Sequence, residues 1–255
     1  VVSVRILKAI GVPFALEHLG HFGFEADKHP ANLTLALGTG SVTPVQLASA
    51  YGVFANGGYR VNPMLVTRVT DSRDRVLAQN KPAVLDESMR AIDARNAFLM
   101  SSLLQEVTRS GTAAKAQAQL GRPDLYGKTG TTNDSMDAWF AGYTVRTVAV
   151  VWIGYDQPRK LGDRETGGGL ALPVWIDYMR TSLKGTPVEE PAVPDGVVNI
   201  GGEWYYEEYT PGTGVRELSG EDPHAPAPAN EDEKRSIMDL FGTGGSNTGS
   251  THTPP

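Results

Sequence analysis

The stretch "YGKTGTTND", residues 126 to 134, sets a lysine among threonines and glycines. A phosphate-binding loop requires Gly-x-x-x-x-Gly-Lys-Ser/Thr opening a helix. For the pair Gly127-Lys128 the first glycine belongs at 122, but that position is Arg122, and Gly121 lies one residue too far away. The continuation Gly130-Thr131-Thr132-Asn133 is also a poor helix start, whereas a phosphate loop aims helix N–H groups at its ligand. Both points argue against nucleotide binding. A Lys-Thr-Gly on a sheet strand supplies other chemistry. The Lys128 ammonium is a fixed positive charge, the Thr129 and Thr131 hydroxyls can hold a carboxylate, and Gly130 lets a substrate approach the backbone. That set suits a peptide ending in a free carboxylate. Alone the tripeptide is weak, since ordinary residue frequencies give Lys-Ser/Thr-Gly in roughly one chain in ten of this length. The plain alternative is a glycine-rich start of a strand, with Lys128 solvated and the threonines present for β-propensity.

The elements that must position these residues have local signatures. Val1, Val4, Ile6, Leu7 and Ile10 predict an amphipathic helix with no cap before it, and "VPFALEHLGHFGF" a second. Thr43, Pro44 and Gln46 form a capping box with proline in the first turn, so a helix over 44–55 is expected, stopped by Asn56-Gly57-Gly58. "YRVNPMLVTRVTDSRDRVLAQN" reads as strand, polar turn at 71–74 and strand. Asp93 opens a helix whose Ala97, Met100, Leu103, Leu104 and Val107 should face the core until Ser110-Gly111. The chain is then expected to become extended: a linker, the motif strand, and "DAWFAGYT" and "TVAVVWIGYD" joined through Val145-Arg146. The second of these is apolar on both faces and is expected in the middle of a sheet. Pro173 starts a last helix carrying Leu172, Trp175, Ile176, Met179 and Leu183 on one face. The predicted class is α+β, an antiparallel sheet flanked by helices.

Charge divides the chain. Residues 186–255 hold 13 acidic and 3 basic side chains, so a net charge of −6 is +4 over 1–185 and −10 over the rest. That acidic, Pro/Gly-rich extension is expected to be largely disordered, apart from "VVNIGGEWYYEEY", which could pair or dock. A mildly basic body without a Lys/Arg cluster argues against a nucleic-acid partner. The absence of cysteine excludes disulfides and thiolate catalysis. Histidines 18, 21, 29, 224 and 252 form no i, i+4 ligand pair, and neither a metal nor a cofactor is expected. No apolar run approaches the ~20 residues of a membrane helix, so any anchor would lie outside this chain.

Four segments in order, "LALGTGSVTPVQLASAYGVFANGGYRVNPMLV", "LLQEVTRSGTAAKA", "GKTGTTNDSMDAWFAGYT" and "VAVVWIGYD", closely resemble the transpeptidase domain of class A penicillin-binding proteins of the 1A type. The resemblance covers residues 1–185, and "GEWYYEEY" is similar to the family's C-terminal extension. It implies the fold shared with serine β-lactamases, incomplete at the N-terminus, and two domains, 1–185 and 186–255. It also implies an enzyme that cross-links peptidoglycan stem peptides through an acyl-enzyme, without metal or cofactor. Its partners would be a donor stem pentapeptide ending in D-Ala-D-Ala, an acceptor stem peptide and β-lactam antibiotics, at the periplasmic face of the inner membrane.

By that resemblance Lys128 would stabilise charge and tune proton transfer, Thr129 and Thr131 would hold the terminal carboxylate, the Thr131 N–H would be an oxyanion donor, and Gly130 would permit the close approach. Thr132, Asn133 and Asp134 read as the turn out of the strand, and Trp139 and Phe140 as alternating across the next one. The chain departs from the family by containing no Ser-x-x-Lys and no Ser-x-Asn. Thr112-Ala113-Ala114-Lys115 only mimics the former, in the linker. The chain therefore reads as a fragment lacking the nucleophile, its base and the glycosyltransferase domain. The other open reading is a non-catalytic module that binds peptidoglycan peptide or a protein partner.

Overall fold

The computed structural model describes residues 2–212. Helices α1 (Val2–Ile10) and α2 (Val12–His21) are separated by Gly11, whose φ of 87° breaks the helical path. Helix α3 (Pro44–Ala55) starts at the expected capping box: the Gln46 N–H donates to Thr43 Oγ1, and the Thr43 N–H donates to Gln46 Oε1. Strands β1 (Arg68–Thr70) and β2 (Val76–Gln79) form an exposed hairpin around Asp71. Helix α4 (Ala94–Arg109) is capped by Asp93, whose carboxylate accepts from the Arg95 N–H.

Helix α4 departs from its expected stripe. Leu103 is 63% exposed, and the buried positions are Ala97, Ser101, Leu104 and Thr108. The face toward the core thus contains two hydroxyls, which hydropathy alone passes over. Each is satisfied by a backbone carbonyl: Ser101 donates to Ala97 O, and Thr108 to Leu125 O. The segment after α4 is also not extended throughout. Helix α5 (Lys115–Leu120) occupies it, with Ala113 and Ala116 fully buried and Gly121 closing it at a φ of 66°.

The main sheet runs β3 (Tyr126–Thr131), β4 (Ala138–Tyr143), β5 (Val148–Ile153), antiparallel throughout. Strand β5 is therefore an edge strand among the described residues, and β4 is central. Helix α3 packs on β5 from one side and α6 (Leu172–Ser182) from the other, so both of its faces are apolar because helices cover them, not because strands flank it. Helix α6 follows a turn of π-helix, Gly167–Ala171, and fills the largest core cluster with Leu172, Trp175, Ile176 and Met179 against Phe140 and Leu125. Strands β6 (Val197–Ile200) and β7 (Glu203–Tyr206) pair and lie on α4, where Trp204 meets Phe98 edge-on at 5.0 Å and Arg95 pairs with Glu208 at 2.8 Å. Val1–Thr210 is one compact unit. Of the 186–255 extension expected to be largely disordered, residues 186–212 are described and include the β6–β7 pair, and the rest lies outside the described residues. No described helix is long and apolar enough to cross a membrane.

The approach to β3 is fixed by a buried ion pair. Arg122 Nε and Nη2 donate to the two oxygens of Asp124 at 2.7 and 2.6 Å, with Asp124 1% and Arg122 10% exposed. Arg122 also donates to the Thr186 and Pro187 carbonyls, and the Glu189 N–H donates to Asp124 Oδ2. Burial alone would raise the pKa of Asp124, but these donors together hold it below its ordinary value. The stability it contributes is therefore complete above the unfolded-state pKa of about 3.9 and is lost as pH falls through the lower folded value. Asp124→Asn is expected to lower stability near pH 7 by about 3 kcal/mol, because Arg122 is left buried without its counter-ion. The gap between wild type and variant in urea midpoint should narrow as pH falls below 4, and a gap independent of pH would show that Asp124 is not ionised in the fold.

Candidate active site

Pairing with β4 decides where each residue of the motif points. Tyr126 lies opposite Tyr143, Lys128 opposite Ala141, Thr129 opposite Phe140 and Gly130 opposite Trp139. Because side chains alternate, Tyr126, Lys128 and Gly130 share the face toward α3, and Gly127, Thr129 and Thr131 the face toward α6. The sequence requires this arrangement. A Cβ on Gly127 would come 2.7 Å from the Phe140 ring and 2.8 Å from Ala141 O, and one on Gly142 2.9 Å from the Trp175 indole. Tyr126 stacks on Tyr143 at 5.0 Å, and the Tyr143 hydroxyl is hydrogen-bonded to Ser101 at 2.8 Å, which ties the start of β3 to α4. Burial raises the Tyr143 and Tyr126 hydroxyls well above their ordinary pKa, so both are neutral packing groups.

The structure brings the expected site residues together along an open edge. No described strand pairs with the outer side of β3. The Thr132 N–H points inward, donating to Asp137 O at 3.1 Å. Successive N–H groups alternate in an antiparallel ladder, so the Thr131 N–H points outward into the edge. Lys128 Nζ curls over that edge to donate to Thr129 O at 3.0 Å, and lies 3.4 Å from Thr129 Oγ1. Thr131 Oγ1 accepts from the Gly167 N–H at 3.0 Å, which leaves its own O–H free to donate outward. Asn133–Ser135 form the turn out of the strand, with Asp134 and Ser135 at positive φ. Phe140 is fully buried, while Trp139 is half-buried on the cleft side.

Lys128 to Thr132 line a cleft of about 1120 Å³ whose opposite side is built by the Gly38–Thr43 loop, α1, α2 and Tyr51. Tyr51, with its hydroxyl pushed up to about 12 by burial, is a neutral wall. His18, also on the cleft, has its pKa lowered by burial and then by His21. Lys128 is the cation beside the open edge, and a ligand bearing a carboxylate or a developing oxyanion fits its charge, the Thr129 and Thr131 hydroxyls and the outward N–H. Among the described residues no group of three or more His, Cys, Asp or Glu could hold a metal ion.

Three contributors escaped sequence reasoning. Thr112, read there as part of a mimic in a linker, is hydrogen-bonded to Thr129, Oγ1 to Oγ1 at 3.1 Å. Asp137 and Trp152 face the same cleft, joined by the indole N–H donating to Asp137 Oδ1 at 2.8 Å. The third is the Gly167 turn, for which the run Gly167-Gly168-Gly169 was the available signal.

Comparison with known proteins bears on the same strand. A family described as "Penicillin binding protein transpeptidase domain" matches residues 21–179. The chain is 49% identical over 209 residues to penicillin-binding protein 1A of Neisseria lactamica, covering 82% of this chain and 26% of that protein. It is 41% identical over 245 residues to penicillin-binding protein 1A of Pseudomonas aeruginosa, covering 78% of this chain and 30% of that protein. The crystal structure of penicillin-binding protein 1A from Haemophilus influenzae superposes with a TM-score of 0.75 at 29% identity, over 83% of this chain and 38% of that one. The chain thus spans between a quarter and a third of the length of these curated relatives.

Gly167 tests how the back of the strand is held. A methyl group there would overlap the carbonyl oxygens of Trp139 and Gly130, both backbone atoms that cannot rotate away, whereas at Gly169 it would meet only Thr166 Oγ1 at 3.4 Å. Gly167→Ala is expected to destabilise by about 1–3 kcal/mol as an overpacking change, and Gly169→Ala by much less, as read from urea unfolding. Equal effects would show that the turn shifts freely against β3.

Proposed function

Because the chain belongs to the class A penicillin-binding protein transpeptidases of peptidoglycan synthesis, we propose that it is one wall of the active site of a serine D-Ala-D-Ala transpeptidase within a longer bifunctional synthase. The observation that carries this reading is the open edge of β3, where the Thr131 N–H faces outward beside Lys128 and two threonine hydroxyls. The donor stem peptide lies along this edge with its terminal carboxylate on Thr129 and Thr131 and its scissile carbonyl oxygen at the Thr131 N–H. A serine from a Ser-x-x-Lys segment outside this chain attacks that carbonyl. Its Oγ–C bond forms, the peptide C–N bond breaks, and the serine proton leaves with the terminal D-alanine as amine. An acceptor stem amine then attacks the ester carbon and returns the proton to the serine. Lys128 and the Thr131 N–H stabilise the oxyanion in both steps, a type of contact worth about 3 kcal/mol. Gly130, without a side chain, lets the substrate carbonyl reach that N–H.

The same edge would take β-lactams, which carry a carboxylate and a reactive carbonyl, and the related PonA1 protein of Mycobacterium tuberculosis is known in complex with penicillin V. The synthase would also carry a glycosyltransferase domain and an N-terminal anchor outside this chain and would work at the periplasmic face of the inner membrane.

In the full-length protein Lys128→Ala should slow penicillin acylation at least about tenfold while barely changing Tm, because its charge acts on the transition state. Thr129→Val keeps the strand but removes a carboxylate ligand. A free-acid donor should separate wild type from this variant by about 1–3 kcal/mol in kcat/KM, whereas an amidated donor should be processed about equally poorly by both. The chain of 255 residues on its own should take no covalent label from penicillin, since the nucleophile is not in it. If both substitutions lowered Tm alone and left acylation per folded molecule unchanged, the motif would be a structural strand and the non-catalytic reading would stand.

A further inference from the structure

Beyond the β3 edge the cleft ends in a corner that the acylation chemistry does not use. Trp139 on β4 and Trp152 on β5 are cross-strand partners whose rings are tilted by 35° at 6.0 Å between centroids, and Trp152 is 37% exposed. Asp137, immediately before β4, lies beside them on the cleft. Its Oδ1 accepts from the Trp152 indole N–H at 2.8 Å, and its backbone N–H donates to Thr132 Oγ1 at 2.7 Å, so both backbone and carboxylate are held in place. Gly154 keeps the position clear: a Cβ there would come 2.6 Å from Asp137 Oδ1 and 2.7 Å from the Trp152 ring. Among the described residues no lysine or arginine pairs with this carboxylate, and its Oδ2 has no hydrogen-bond partner. The neighbouring Asp134 is by contrast paired with Lys160 at 3.7 Å.

A fixed carboxylate with an unused oxygen, on a cleft that two indole rings also line, is suited to a primary ammonium. The carboxylate supplies a charge-assisted hydrogen bond, and the ring faces attract the cation. Building on the transpeptidase reading, we propose that Asp137, Trp139 and Trp152 form a subsite for the ammonium of an amine-bearing side chain in a stem peptide. The reaction requires such a side chain, because the acceptor attacks through an amine, and donor and acceptor stems are units of one polymer. The corner lies in the same cleft as Thr131 and Thr132, and the Asp137 N–H is bonded to the Thr132 hydroxyl at its edge.

The test uses the full-length protein and Asp137→Asn, which retains an oxygen to accept from Trp152 and loses only the charge. In the donor arm, kcat/KM for release of terminal D-alanine is compared for a stem pentapeptide with its side-chain amine free and for the same peptide N-acetylated. The ratio is taken within one preparation, so the folded fraction cancels. In the acceptor arm, an acyl-enzyme formed from a donor without an amine partitions between water and added acceptor, and the acceptor KM is read against hydrolysis. A fall of about tenfold in the donor ratio places the donor's ammonium in the corner, and a rise of about tenfold in acceptor KM places there the acceptor's amine as it arrives protonated, before it gives up that proton and attacks the ester carbon. Either result supports the subsite. It is overturned if both quantities stay at wild-type values, or if the acetylated donor and penicillin lose as much as the free amine, which would mark Asp137 as structural. Wild-type protein that takes no penicillin label would overturn the transpeptidase reading and the subsite with it.

Discussion

The buried pair between Arg122 and Asp124 is the constraint on which the cleft depends. A strand with one unpaired edge lacks half of its ladder hydrogen bonds there, so its position must be secured by other means. Arg122 and Asp124 do this at the point where the chain enters β3. They gather the carbonyls of Thr186 and Pro187 and the N–H of Glu189, and so bind the segment after α6 to the segment before the motif. Neither charge could remain in that environment without the other, and for that reason the pair fixes a geometry instead of merely adding stability.

From that anchor the strand is held on its back and sides by close contacts. Gly127 and Gly142 lie opposite each other and admit the Phe140 ring and the Trp175 indole, so β3, β4 and α6 approach more closely than side chains would permit. Gly167 then presses the π-turn onto Gly130 and donates its N–H to Thr131. The glycines therefore differ in how closely they are packed. A Cβ on Gly130 would meet the Trp139 side chain at 3.2 Å, while Gly127, Gly142 and Gly167 leave room for backbone and rings that come closer still.

Much of this was legible in the sequence wherever a residue acts locally. The Thr43/Gln46 box, the Asp93 cap, the turn at 132–134 and the apolar face of α6 follow from bonds between residues a few positions apart, and all are present. The placement of Lys128 to Thr131 on a strand also followed from local pattern. The expectations that failed concern non-local contacts. The apolar run of β5 reports two covering helices, which a hydropathy pattern cannot separate from two flanking strands. Hydropathy places Leu103 inward and passes over Ser101 and Thr108, although each of these finds a carbonyl acceptor in the core. Thr112, Asp137 and Trp152 reach the cleft only through the folding of distant segments, and no spacing within the chain marks them.

One residue of register carries the whole arrangement. Along β3 the positive charge leaves by one face, the hydroxyls by the other, and the Thr131 N–H lies in the plane of the edge, so three kinds of polar group converge where Lys128 bends toward Thr129. A slip of one position against β4 would turn Lys128 toward Phe140 and α6, drive Thr129 into the α3 side, and replace the outward N–H of Thr131 with that of Gly130 or Thr132. Such a slip is blocked sterically: it would set Tyr126 or Lys128 where only Gly127 clears the Phe140 ring and the Ala141 carbonyl. The glycine that looks like spacing in "YGKTGT" is thus what holds its chemistry in register.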